Sequence, residues 1–233
     1  MTERNIDLQE INKFEDLARK WWDPDSEFKP LHDINPLRIN YIRDRIDLSS
    51  KRILDVGCGG GLLSEALAAA GAEVLGIDAG EKPLQVAKLH LHESQLEIEY
   101  RQLTIEELAD SNPEPFDVIT CLEVLEHVPS PGSIIKTCRQ LVKDDGHLFF
   151  STINRSLKSY LFAIIGGEYI LNLLPRGTHD YHKLITPSEL ALHCRRAKLE
   201  ITDFSGITYN PITQIYKLGK NVDVNYLAYA RPS

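Results

Sequence analysis

Ile53-Leu54-Asp55-Val56-Gly57-Cys58-Gly59-Gly60-Gly61 is the stretch whose reading decides the fold. A short strand-like run passes without a break into a glycine cluster, and a helical pattern follows from about Leu62 to Ala70. Glycines after a strand let the backbone turn sharply and approach a ligand with no Cβ in the way. The helix behind them presents free N–H groups to a polar or anionic ligand. Glycine also serves bare turns, so the neighbouring acids sharpen the reading. Asp55 stands two residues before Gly57, where a carboxylate meets a ligand ammonium group. Asp78 closes the next apolar run, Glu73-Val74-Leu75-Gly76-Ile77-Asp78, where an acid accepts both hydroxyls of a ribose. Any adenosine ligand gives Asp78 a purpose; one that also carries an amino acid gives Asp55 a purpose. The glycines read G-x-G-x-G, and Leu62 falls where the dinucleotide fingerprint has its third glycine. This spacing disfavours a nicotinamide-dependent oxidoreductase.

Outward from this stretch, short apolar runs alternate with helical patterns. Strand candidates follow at Ile98 to Gln102, Phe116 to Cys121 and His147 to Thr152, with helices around Leu84 to Leu91 and Ile134 to Val142. Such alternation predicts a doubly wound, mostly parallel α/β sheet covered on both faces. Two tail candidates, Ile201 to Ile207 and Val224 to Ala230, bring the expected strands to seven and suit an antiparallel edge. Residues 1–50 read as an N-terminal helical cap of the same domain: one helix carries Ile6, Ile11, Phe14 and Trp21, and a second begins at Asn35-Pro36. Residues 51–233 form the main domain, with an apolar insert at about 155–185. Within it Tyr160 to Ile165 and Tyr169 to Leu174, flanked by Arg155, Lys158 and Arg176, suit either a buried helix or a lid lying on a bilayer surface.

The 233 residues carry a formal net charge of −8, which repels polyanions and argues against nucleic acid as the main partner. Four scattered cysteines without a C-x-x-C pair suit a reducing compartment and provide no zinc framework. Met1 to Glu10 lacks the basic start and apolar run of a signal peptide, and no apolar run reaches the ~18–20 residues that span a bilayer. A cytoplasmic protein is expected.

Glu123, Glu126 and His127 follow the fourth strand at its carboxyl end, where open parallel sheets bind ligands. On a helix, positions i, i+3 and i+4 share a face, so the three side chains are expected to converge. Two carboxylates and an imidazole would suit Mg²⁺ or Mn²⁺ better than zinc, or His127 would act alone as general base. A solvated helix face is the plain alternative.

Asp55-Val56-Gly57-Cys58-Gly59-Gly60-Gly61 resembles motif I of class I methyltransferases. The chain as a whole resembles the ubiquinone-biosynthesis O-methyltransferase family. Arg19-Lys20-Trp21-Trp22-Asp23, Phe28-Lys29-Pro30-Leu31-His32, Ile34-Asn35-Pro36-Leu37-Arg38, Glu123-Val124-Leu125-Glu126-His127-Val128, Gly177-Thr178-His179-Asp180, Tyr209-Asn210-Pro211-Ile212-Thr213 and Val222-Asp223-Val224-Asn225-Tyr226 carry that likeness over nearly the full length. The resemblance implies S-adenosyl-L-methionine held at Arg38, Gly57, Asp78 and Leu122, beside Asp55 and Gly59. It also implies Mg²⁺ at Glu123, Glu126 and His127, with Glu123 and His127 serving catalysis. The implied acceptor is a phenolic hydroxyl of a polyprenylated catechol or hydroquinone, the alternative being another small phenol. Peripheral contact with membrane lipid and association with other quinone-biosynthesis proteins follow from the same likeness. A guanidinium at Arg38 suits the methionine carboxylate of such a cofactor. His179 and Asp180 either line the acceptor site or shape a turn.

Overall fold

A computed structural model describes residues 5–156, 159 and 181–233. The insert runs Tyr160 to Leu174, with His179 and Asp180 behind them, lie outside the described residues. Strands β1 (Arg52–Val56), β2 (Glu73–Asp78), β3 (Ile98–Gln102), β4 (Phe116–Leu122) and β5 (Val142–Ile153) run parallel, joined by helices α3 (Leu62–Ala69), α4 (Glu81–Ser94), α5 (Ile105–Asp110) and α6 (Pro131–Leu141). Helix α7 (Pro187–Arg196) leads into β6 (Leu199–Asn210), β7 (Ile215–Gly219) and β8 (Asn225–Pro232). The sheet order is β3-β2-β1-β4-β5-β8-β6-β7.

The doubly wound architecture is as the alternation predicts, with two differences at the tail. Among the described residues the sheet has eight strands, because Ile215–Gly219 pairs with β6. The last strand is not an edge: β8 lies antiparallel between β5 and β6. Its continuous buried run, Tyr226 to Ala230, requires cover on both faces, which only an interior position supplies. The period of two along the strands divides the core. Leu54, Val56, Ile119 and Cys121 face one cluster with α5, α6 and α7. Ile53 and Val118 face the other, which takes in Ile34, Tyr41 and Ile42 and the α3 residues Leu63 and Leu67.

Two helices precede the sheet, α1 (Leu8–Leu17) and α2 (Lys29–Arg43). The second begins a turn and a half earlier than Asn35-Pro36 suggested. Pro30 occupies the first turn, where a missing N–H costs nothing, and Pro36 is internal. The earlier start puts Phe28, Pro30 and Leu31 on the wall of the cavity at the carboxyl ends of the strands. No described helix is long and apolar enough to cross a membrane.

Candidate active site

The glycine loop makes the floor of the site. Gly57 and Gly59 take positive φ of 68° and 53°, a region open to glycine at little cost. A Cβ at Gly57 would meet Val124 Cγ2 at 2.3 Å, and one at Gly59 would meet the Trp21 ring at 2.2 Å. The loop is therefore tight against two other segments, and a side chain at either position would be strained as well as crowded. Trp22 adds a second anchor by donating from Nε1 to the Gly60 carbonyl at 2.9 Å, while its ring stacks on His90. Asp78 takes Gly59 N–H at 2.9 Å and Gly80 N–H at 2.7 Å, one on each oxygen. Each oxygen keeps a further lone pair, and Asp78 lines the cavity.

Asp55 is nearly fully buried at the end of β1. Its oxygens accept from Ser64 Oγ at 2.6 Å and Thr120 Oγ1 at 2.7 Å. Burial pushes its carboxyl up to about 6 against the relief of those two hydroxyls. Leu122 ends β4 and also lines the cavity.

Arg38 is a cation of the cavity with open donors. It projects from α2 into the cavity and is only 6% exposed, yet neither Nε nor Nη2 has a hydrogen-bond partner. An ion pair of 3.0 Å to Glu123 balances its charge without satisfying its directions. A buried guanidinium fork with open donors is a site for a carboxylate.

Glu123, Glu126 and His127 do not converge as expected. Among the described residues, no group of three or more His, Cys, Asp or Glu lies close enough to hold a metal ion. The reason is local: the segment is not an α-helix. Glu123 takes a left-handed φ of 56° and a single 3₁₀ turn, Leu125–His127, follows, so the i, i+3, i+4 spacing of an α-helix does not apply; Glu123 and His127 line the cavity and Glu126 does not. Glu123 accepts from Ser151 Oγ at 2.6 Å and from Asn225 Nδ2 at 3.2 Å. Burial raises its carboxyl, but Arg38 and these donors outweigh burial and hold it below the ordinary range. Glu126 is 3% exposed, lies off the cavity wall, and has no hydrogen-bond partner on either oxygen. Burial, reinforced by the charge of Glu123, pushes its carboxyl up. As placed, the three residues do not fit a divalent cation.

His127 instead pairs with Glu10 of α1, Nδ1 to Oε2 at 3.0 Å. Phe14 packs edge-on against the imidazole. Burial works against charge on His127, but Glu10, Glu126 and Glu123 together raise its pKa. Burial likewise raises Glu10, and His127 and Lys13 reverse this to about 2. Lys183 pins the same helix through Asp7 at 2.8 Å. Sequence reading missed Glu10, although a signal was present: Ile6, Glu10 and Phe14 recur at four-residue spacing, placing an acid on an apolar stripe. Ser64, Thr120, Ser151 and Asn225 were also missed, and no short pattern marks them.

A methyltransferase-domain family model matches residues 34–203. Ubiquinone biosynthesis O-methyltransferases are similar over almost the whole chain. That of Marinobacter nauticus is 62% identical over 99% of this chain and 98% of its own, and that of Pseudomonas putida 63% identical over 96% of each. The chain belongs to the ubiquinone biosynthesis O-methyltransferase family. Among solved structures, the magnesium protoporphyrin IX methyltransferase of Synechocystis PCC 6803, with bound SAH, superposes at a TM-score of 0.71 over 95% of each chain at 20% identity. A Thermotoga maritima methyltransferase gives 0.65 at 14% identity, covering 96% of this chain and all of the other. These likenesses establish the class I methyltransferase fold, and membership of the ubiquinone biosynthesis family makes the chain an O-methyltransferase.

Proposed function

We propose that this enzyme transfers the methyl group of S-adenosyl-L-methionine to a phenolic hydroxyl of a polyprenylated catechol or hydroquinone in ubiquinone biosynthesis. The open donors of buried Arg38 carry the cofactor half of this reading. They take the methionine carboxylate, Asp78 takes the ribose hydroxyls, and Gly57 and Gly59 give the loop its close approach. Asp55, held by Ser64 and Thr120, adds negative charge beneath the ammonium end. The cofactor supplies an electrophilic methyl group on a sulfonium.

Acceptor activation falls to His127. A phenol with a pKa near ~10 is mostly protonated at neutral pH, so its proton must be removed as its oxygen attacks. With Nδ1–H donating to Glu10, Nε2 is the basic nitrogen. It takes the phenolic proton, and Glu10 stabilises the imidazolium that forms. The apolar wall of Phe14, Trp21 and Phe28 keeps water from competing for the methyl group. No step is assigned to Mg²⁺, because the three expected ligands, as placed, form no group that could hold it. The prenylated acceptor supports a peripheral position at a membrane surface, the source from which such a substrate is drawn.

The test is transfer of labelled methyl from S-adenosyl-L-methionine to a short-chain prenylated catechol, with and without EDTA, beside His127→Gln and Glu10→Gln. Transfer that survives EDTA and falls by about 10²–10⁴ in His127→Gln supports the base assignment. Transfer abolished by EDTA and restored by Mg²⁺ would show that the three donors regroup around a cation. A chain that binds cofactor and methylates no phenol would remove the acceptor assignment.

A further inference from the structure

The cavity has a volume of about 1030 Å³, at the upper end of the ~300–1,000 Å³ usual for one small-molecule site. The glycine loop, Asp78 and Arg38 account for its cofactor portion, and His127 for the reacting hydroxyl. One part of the wall has no role in either. It is built by the β6–β7 hairpin, which contributes Tyr209, Pro211 and Tyr216, opposite Phe28 and Leu31 at the start of α2.

This hairpin is built to hold its shape. Tyr209 pairs with Tyr216 and Asn210 with Ile215 across the ladder, and the two tyrosine rings lie 4.6 Å apart. At the tip the Asn210 side chain accepts from Ile212 N–H at 2.9 Å and Thr213 N–H at 3.2 Å, a turn that side-chain oxygens of this kind stabilise. The turn holds Ile212 out at 91% exposure, with Ile215 at 50% and Tyr209 at 40%. Tyr209 and Pro211 line the cavity, and exposed Tyr209 and Ile212, which follows Pro211 in the chain, carry apolar surface from that wall to the outside of the molecule.

We propose that the β6–β7 hairpin is the subsite for the acceptor's isoprenoid tail, which leaves the cavity between Tyr209, Pro211 and Tyr216 and runs over Ile212. This rests on the polyprenylated acceptor proposed above. A tail of several isoprene units cannot share an enclosed volume with a cofactor and an aromatic head, so it must exit along an apolar path. Branched hydrocarbon packs against tyrosine faces, proline and isoleucine with no polar group to desolvate on either side. The occupant is the tail itself and not the bilayer, because Tyr209, Pro211 and Tyr216 line the same cavity as His127.

The experiment compares wild type with Ile212→Asp and Tyr209→Ser on two acceptors in detergent solution without vesicles. One is a catechol with a three-isoprene tail and the other has a methyl group in its place. Ile212 is outside the packed core, so an unchanged melting temperature is expected and confirms folding. The expected result is a KM for the tailed acceptor raised about tenfold, the loss of one buried aliphatic side chain's contact, with kcat and the tailless acceptor unchanged. Equal effects on both acceptors, or none on either, would overturn the subsite. So would an effect seen only after vesicles are added, since the hairpin would then be touching lipid. Wild type that methylates neither acceptor while binding cofactor would instead overturn the acceptor reading on which the subsite rests.

Discussion

At the scale of single residues, the site is organised by groups whose charge or donors are left over when the fold is complete. Arg38 is one: Nε is buried and open, and Nη2, although 3.0 Å from Glu123, is not directed at it, so a ligand carboxylate gains charge-assisted hydrogen bonds there. Arg38→Gln is expected to weaken S-adenosyl-L-methionine binding by ~10- to 100-fold, the worth of a hydrogen bond to a charged group, read by calorimetry. Asp55 is another. Its ordinary value of 3.8 rises to about 6 in the folded chain through burial, so the folded state favours the protonated form. That preference is fully present below pH 3.8 and lost as the pH rises through about 6. The ligand-free protein should therefore lose stability over that window, and Asp55→Asn should flatten the profile. The variant should gain ~1–3 kcal/mol at pH 7, measured by urea unfolding, while binding cofactor less well. Gly57 and Asp78 could be singled out from the sequence because one stands in a compact motif and the other closes a strand, whereas Arg38, inside α2, and Leu122 were singled out only through the family resemblance. Glu10 was missed, because its partner His127 is 117 positions away and only the docking of α1 brings them together.

At the scale of elements, the strand–helix units from β1 to β5 follow from local pattern, whereas the tail depends on partners. Tyr216 and Leu218 of β7 alternate with exposed Ile215, Lys217 and Gly219, a run of five too short and too polar to stand out. It becomes a strand by pairing with β6 across the Asn210 turn. The start of α2 was misplaced for a similar reason: either Pro30 or Pro36 suits a first turn, and packing of Phe28 against Trp21, 4.2 Å between rings, favours the earlier one. Helix α5 shows the opposite case, in which a local signal is complete. Thr104 accepts Glu107 N–H at 3.2 Å and Glu107 accepts Thr104 N–H at 2.8 Å, a reciprocal cap placed directly on the cavity wall. Thr104→Ala should cost ~1 kcal/mol of stability, read as a lower urea midpoint with unchanged slope.

At the scale of the whole molecule, the sheet gathers residues from distant parts of the chain along one rim, and α1 closes over them. That helix pairs Glu10 with His127, and Trp21 just beyond it rests on the glycine loop. One wall therefore serves two ligands. A movement of α1 would uncover spent cofactor and methylated product together. Were that movement to limit turnover in the steady state, the intrinsic reactivity of the phenol would drop out of kcat. Acceptors bearing electron-donating or electron-withdrawing ring substituents should share one kcat while differing in single-turnover rate. Added viscogen should slow the former and leave the latter untouched, a pattern that stopped-flow and steady-state rates measured side by side would reveal.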